Sequence, residues 1–150
     1  MKRILKSIFL LFAFSTVYMQ AQNLHPKFEG TWVLDSVQVK EVMPNSIVEK
    51  TVMPEGDSKF NEIWMWRFTL NEKASYAGKS GNIISNIHYR VDDMSYNSVT
   101  ITFTGITNYK KLNIQLLSDE VMLITDSFST KYNQQDIVIS WKMFYHKTNQ

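Results

Sequence analysis

From residue 64 onward the chain alternates. Trp64, Trp66, Phe68 and Leu70 are separated by Met65, Arg67 and Thr69. Val99, Ile101 and Phe103 alternate with threonines, and Leu112, Ile114 and Leu116 with Asn113 and Gln115. Ile137, Ile139, Trp141, Met143 and Tyr145 take every second place near the end. Successive side chains of a strand point to opposite faces, so this period predicts strands with one buried and one wet face. No segment after residue 22 holds a 3.6-residue apolar stripe for three turns, which confines helix to a turn or two near the start.

Turn residues punctuate these runs. Asn71-Glu72-Lys73, Lys79 to Asn82, Asp92-Asp93-Met94 with Tyr96-Asn97, Ser118-Asp119-Glu120 and Asn133 to Asp136 each separate two strands. Strands about 8–12 residues apart with such links predict an antiparallel meander, closed as a barrel or stacked as a sandwich. Met43 to Lys59, with Pro44, Pro54 and Gly56, is the longest irregular stretch and is expected to form a lid over one mouth.

The first strand slips. Trp32 and Leu34 share one parity, while Val37 and Val39 take the other. A bulge at Asp35-Ser36 would bend the strand and restore the inward face, with the Asp35 carboxylate satisfying a freed backbone N–H.

The first 21 residues stand apart. Lys2, Arg3 and Lys6 form a basic head without an acid, Ile8 to Met19 is apolar but for Ser15 and Thr16, and small Ala21 follows. This is the layout of a secretory signal peptide, with cleavage expected between Ala21 and Gln22. The alternative is an uncleaved anchor, although the run is short of the roughly 20 apolar residues that span a bilayer. The expected organisation is a leader, 1–21, and one domain, 22–150.

The leader alters the charge. The whole chain has 16 Lys and Arg against 14 Asp and Glu, but the leader holds three of the bases and no acid, leaving 13 against 14, a balance of −1. No basic field remains for nucleic acid or an anionic membrane. The chain has no cysteine, hence neither a disulfide nor an acceptor for a lipid anchor, so a soluble periplasmic or secreted product is expected.

Gly30-Thr31-Trp32, opening the first strand of an antiparallel meander, resembles the G-x-W signature of lipocalins. The chain is more similar to small bacterial secreted lipocalin-like domains, which begin in the manner of G-T-W-V-L-D-S and share a later strand pair like Leu112 to Ile124. The resemblance implies an up-and-down barrel of about eight strands. Gly30 would allow close approach at the closed end, and Trp32 would plug it. A last-strand Arg stacks on that Trp in animal lipocalins. Here Lys142 takes the place, without a planar guanidinium. Thr125-Asp126 starts like a later family motif, but Ser127 replaces its Tyr.

Chemistry is sparse. His25, His88 and His146 are scattered and read as solvated imidazoles. Neither a nucleophile elbow, a phosphate-binding loop nor a zinc-binding pair is present. Asp92-Asp93 and Asp119-Glu120 lack calcium-loop spacing and read as solvated turns. No catalytic residue, metal or cofactor is expected, and the reading is a protein that is not an enzyme.

The aromatics remain. Trp64, Trp66, Phe68, Tyr89, Phe103 and Trp141 share inward parity. Eight strands enclose a space that side chains can fill or that can hold one small ligand. Both readings stand: a cavity for a small hydrophobic or amphiphilic molecule anchored by Tyr89 and Arg67 or Arg90, or a filled structural module binding proteins through outward Ile63 and Met65. Neither is an integral membrane protein, and neither selects an oligomeric state.

Overall fold

The computed structural model describes residues 23–53, 64–80, 83–104 and 111–148, with backbone alone at 84 and 85. The expected leader, its cleavage bond and Ile63 lie outside the described residues.

Among the described residues, nine strands follow a single 3₁₀ turn, Pro26–Phe28. They are β1 (Gly30–Met43), β2 (Ser46–Val52), β3 (Met65–Thr69), β4 (Lys73–Ala77), β5 (Ile83–Met94), β6 (Ser98–Phe103), β7 (Lys111–Leu116), β8 (Val121–Tyr132) and β9 (Gln135–Thr148). Every pairing is antiparallel, and β1 meets β9, closing the sheet. The result is a closed eight-stranded up-and-down barrel of β1 and β3–β9, with the shape of a lipocalin-like barrel. Closure excludes the sandwich that alternation alone left open.

β1 changes partner along its length. Gly30–Val33 pairs with β3, whereas Val37–Met43 pairs with β2. Its other edge follows β9 from Thr31 to Val42. The expected slip is present: the β1–β9 register shifts between Leu34 and Ser36. Two further shifts bend β5. One, between Ala74 and Tyr76 of its partner, accompanies Asn86 at φ 59°, and the other falls at Asp92, between Val91 and Asp93. Such extra residues bend a strand and increase its twist, as closure of a sheet requires.

Three expectations are corrected. The stretch from Met43 to Lys59 is not irregular throughout: Ser46–Val52 is strand β2, joined to β1 by the turn at Pro44-Asn45. Its β-branched Ile47, Val48, Thr51 and Val52 fit a pleated surface and outweigh the flanking prolines. The remainder, 54–59, lies outside the described residues. Asp92-Asp93-Met94 belongs to β5 and is not a turn. The last turn is only Asn133-Gln134, with φ 49° and 64°, the signature of a two-residue type I′ hairpin.

One end of the barrel is plugged. The 3₁₀ turn packs Leu24 and Phe28 under the strands, at 3% and 1% exposure. His25 caps it, Nδ1 accepting from Lys27 N–H at 3.3 Å. At the other end β1, β8 and β9 run past the barrel and, with β2, form a four-stranded ribbon, β2-β1-β9-β8. Leu112–Leu116 of β7 follows the expected buried alternation, whereas Asp126–Tyr132 of β8 is exposed at every residue.

Candidate functional site

The aromatic layer of the barrel interior is built from the inward positions of β3, β4, β5 and β6, and β1, β7, β8 and β9 supply most of the rest of the core. Trp66 lies between Phe68 and Phe103, with ring centroids 5.7 Å and 5.6 Å away and planes within 7° and 9°. Tyr76, directly opposite Trp66 on β4, tilts against it at 5.1 Å. Phe68 meets Tyr89 edge-on at 6.3 Å. β3 and β6 are not neighbours in the sheet, so the contact of Trp66 with Phe103 crosses the interior. None of these rings is more than 6% exposed. Offset-stacked and edge-on arrangements of this kind are worth roughly 0.5–1.5 kcal/mol per pair beyond area burial.

Four of the six aromatics expected to line a pocket are therefore together: Trp66, Phe68, Tyr89 and Phe103. Two stand elsewhere. Trp64 precedes β3, half-buried, with Lys79 Nζ 4.9 Å from its ring centre and its carbonyl accepting from Leu34 N–H. Trp141 is on the ribbon, half-buried, its ring 5.1 Å from Phe128. Parity placed both on the inward face, but neither joins the ring layer, and Trp141 packs only against the margin of the core. Tyr76 was missed. Its alternation with Ala74 was the available signal, in a segment read only as a turn-linked short strand.

The expected polar anchors are otherwise engaged. The Tyr89 hydroxyl donates to the Thr69 carbonyl at 2.7 Å. Burial, assisted by Glu72 and Glu29, holds its pKa well above the ordinary phenol value, so it remains a neutral donor. Arg67 is exposed on the outer face. Arg90 pairs with Asp92 at 2.9 Å, also outside. Asp92 accepts from Thr102 Oγ1 at 2.6 Å and lies 3.8 Å from Lys111 Nζ. The Thr102 hydroxyl, followed by Arg90 and Lys111, lowers the Asp92 pKa against a burial effect that raises it.

Gly30 and Trp32 sit at the plugged end. Gly30 has φ 130°, a conformation open to glycine but rarely to L side chains, and a Cβ there would stand 2.8 Å from Lys147 Cε. Trp32 is completely buried, and its Nε1 donates to the Phe28 carbonyl at 3.0 Å. The cation over its ring is Lys147, with Nζ 5.1 Å from the ring centre, and not Lys142, which points outward and is exposed. Lys147 Nζ also donates to the Lys27 carbonyl at 3.3 Å, stapling the turn to the last strand.

Two further readings change. Among the described residues, no freed backbone N–H bonds Asp35. Its carboxylate meets His146 Nδ1 at 2.6 Å across the sheet, so His146 is not an isolated imidazole. The inferred outward Met65 is half-buried on β3. Among the described residues no three His, Asp or Glu side chains gather as metal ligands, and no helix is long and apolar enough to cross a membrane. On the outer face of the ribbon, Gln38, Lys40, Glu49, Thr51, Ser140 and Lys142 border a polar groove of about 310 Å³.

No family model matches the chain, and a search of curated proteins returns no match.

Proposed function

We propose that this is an exported lipocalin-like protein that binds a small hydrophobic or amphiphilic molecule in the barrel without catalysis. The observation that carries the reading is the ring layer of Trp66, Phe68, Tyr76 and Phe103 inside a barrel plugged at one end. An apolar molecule entering from the ribbon end would have to part rings that are at most 6% exposed, and would gain about 25 cal/mol per Å² of its own apolar surface removed from water. Binding sites of this kind are mostly apolar, with few polar groups to fix orientation. The Gly30 and Trp32 arrangement supports the family resemblance, and the basic-then-apolar head at residues 1–21 supports export to the periplasm or beyond.

Titration of the purified protein with fatty acids and fluorescent apolar probes tests the reading. Tryptophan emission should change saturably, and Phe103→Ala should shift the midpoint while the fold survives. No response across the panel from a folded protein overturns it. That outcome would favour a second reading, a filled-core envelope module that binds proteins, for which the exposed apolar residues of the ribbon are the supporting observation.

A further inference from the structure

In the ribbon β1 and β9 have partners on both sides and β2 is an edge, while β8 parts from its outer neighbour midway. β7 pairs with β8 only from Met122 to Thr125. Lys111 and Leu112 of β7 remain in register with β6 but make no pairing with Ser127 or Asp126. From Asp126 to Tyr132 β8 is therefore held on one side alone, by β9, among the described residues. All seven residues are exposed, including the rings of Phe128 and Tyr132 at 42% and 66%. A long edge without proline or bulge offers unpaired backbone groups to another strand.

The hairpin decides which groups are offered. In the turn Tyr132–Gln135, the Tyr132 carbonyl accepts from Gln135 N–H, so Tyr132 faces β9. Antiparallel pairing alternates, so Thr130 and Phe128 also face β9, while Lys131, Ser129 and Ser127 turn their N–H and C=O groups to the open side. The Ser127 N–H donates at 2.7 Å to the carboxylate of Asp126, which caps the edge where β7 departs.

We infer that this edge pairs antiparallel with the same edge of a second copy, on a twofold axis through Thr130. Thr130 then opposes its counterpart, Phe128 opposes the second Tyr132, and Ser129 opposes the second Lys131. Ser129 and Lys131 exchange the ladder hydrogen bonds. Phe128 and Tyr132 fall at the non-hydrogen-bonded positions, where side chains approach most closely. Aromatic pairs and Thr–Thr pairs are favourable across strands, and no like charges stand opposite. Contact through one shared patch closes on itself as a dimer. The edge of β2 does not match itself so well: centred on Glu49 or Lys50 it opposes like charges, and centred on Val48 it sets Ile47 against Glu49. A lipid surface is disfavoured, because unpaired backbone groups cannot enter hydrocarbon.

The absence of native cysteine allows a direct test. A non-hydrogen-bonded pair has Cα atoms about 4.5 Å apart, within the disulfide range. Thr130→Cys in the mature chain should form an intermolecular disulfide under mild oxidation, and Thr51→Cys on β2 should not. In sedimentation across a dilution series, the wild type should be a dimer. Ser129→Pro removes an N–H that faces away from β9, so it should give a monomer with unchanged circular dichroism. Thr51→Pro should stay dimeric. A monomeric wild type, an open-ended oligomer, a dimer that survives Ser129→Pro, or one lost instead with Thr51→Pro overturns the proposal.

Discussion

The two ends of β1, β8 and β9 obey the same alternation with opposite results. At the plugged end Trp32, Met122 and Tyr145 are at 0% exposure. Toward the ribbon tip, the inward Ile137, Ile139 and Trp141 are only half-buried and Phe128 is 42% exposed. Strand pairing is complete between β8 and β9 at both ends. The difference lies in the third dimension: inward side chains at the plugged end meet the opposite barrel wall and the 3₁₀ turn. Backbone pairing makes a ribbon, but only a second layer makes a core.

The largest expected effect separates the two regions by truncation. Trp66→Ala should cost about 3–5 kcal/mol in urea unfolding, the range for emptying a fully buried aromatic site. Trp141→Ala, half-buried on the ribbon, should cost no more than about 2 kcal/mol, in proportion to the smaller apolar area it hides. Equal losses would break the comparison and mean that the ribbon is packed as tightly as the barrel.

Next comes Gly30. Gly30→Ala should destabilise by about 1–3 kcal/mol, because φ 130° strains any Cβ-bearing residue. Adding Lys147→Ala removes the 2.8 Å approach but not the strain. The double variant should therefore melt below Lys147→Ala alone, whereas equal melting of those two would assign the whole cost to the clash.

Tyr89→Phe should cost about 1 kcal/mol, leaving the Thr69 carbonyl without its donor. Its pH dependence sharpens the test. The folded-state pKa is raised, so the neutral phenol's contribution is complete below the ordinary value near 10 and declines as pH rises beyond it. The wild type should lose stability on that alkaline limb, and Tyr89→Phe should lose less. Identical alkaline slopes would mean that the phenol is not sequestered.

The smallest effect belongs to the outer face. Asp92 has a lowered pKa, so its contribution is present above the ordinary carboxylate value and lost as pH falls through the folded-state value. Asp92→Asn should change neutral-pH stability by only about 0.2–1 kcal/mol, the range for exposed ion pairs. It should flatten the acid limb of the unfolding midpoint, and an unchanged acid limb would mean that the cluster is inert.

Much of the barrel was legible. Parity named Trp66, Phe68, Phe103 and Ile101 as inward, and the slip at Asp35 located a bulge before any partner strand was known. Parity says which face a residue takes, not whether anything covers it, and that is why Trp64 and Trp141 fell outside the ring layer. The cation over Trp32 was within reach of the same rule, since inward parity from Met143 and Tyr145 leads to Lys147. Choosing Lys142 ignored the face. The meeting of Asp35 with His146 was not legible at all, because the contact spans 111 positions and depends on the β1–β9 register across a bulge. β2 was hidden by its prolines, local signals that carry no information about the waiting edge of β1.

The seam from Thr31↔Thr148 to Val42↔Val138 joins the first strand to the last. The seam cannot seal until Val138 to Thr148 have been synthesised, so a nascent chain stays open up to that point. Chains dominated by such distant pairings also fold slowly. A version stopped at Gln134, lacking the whole of β9, should display no cooperative melting whatever.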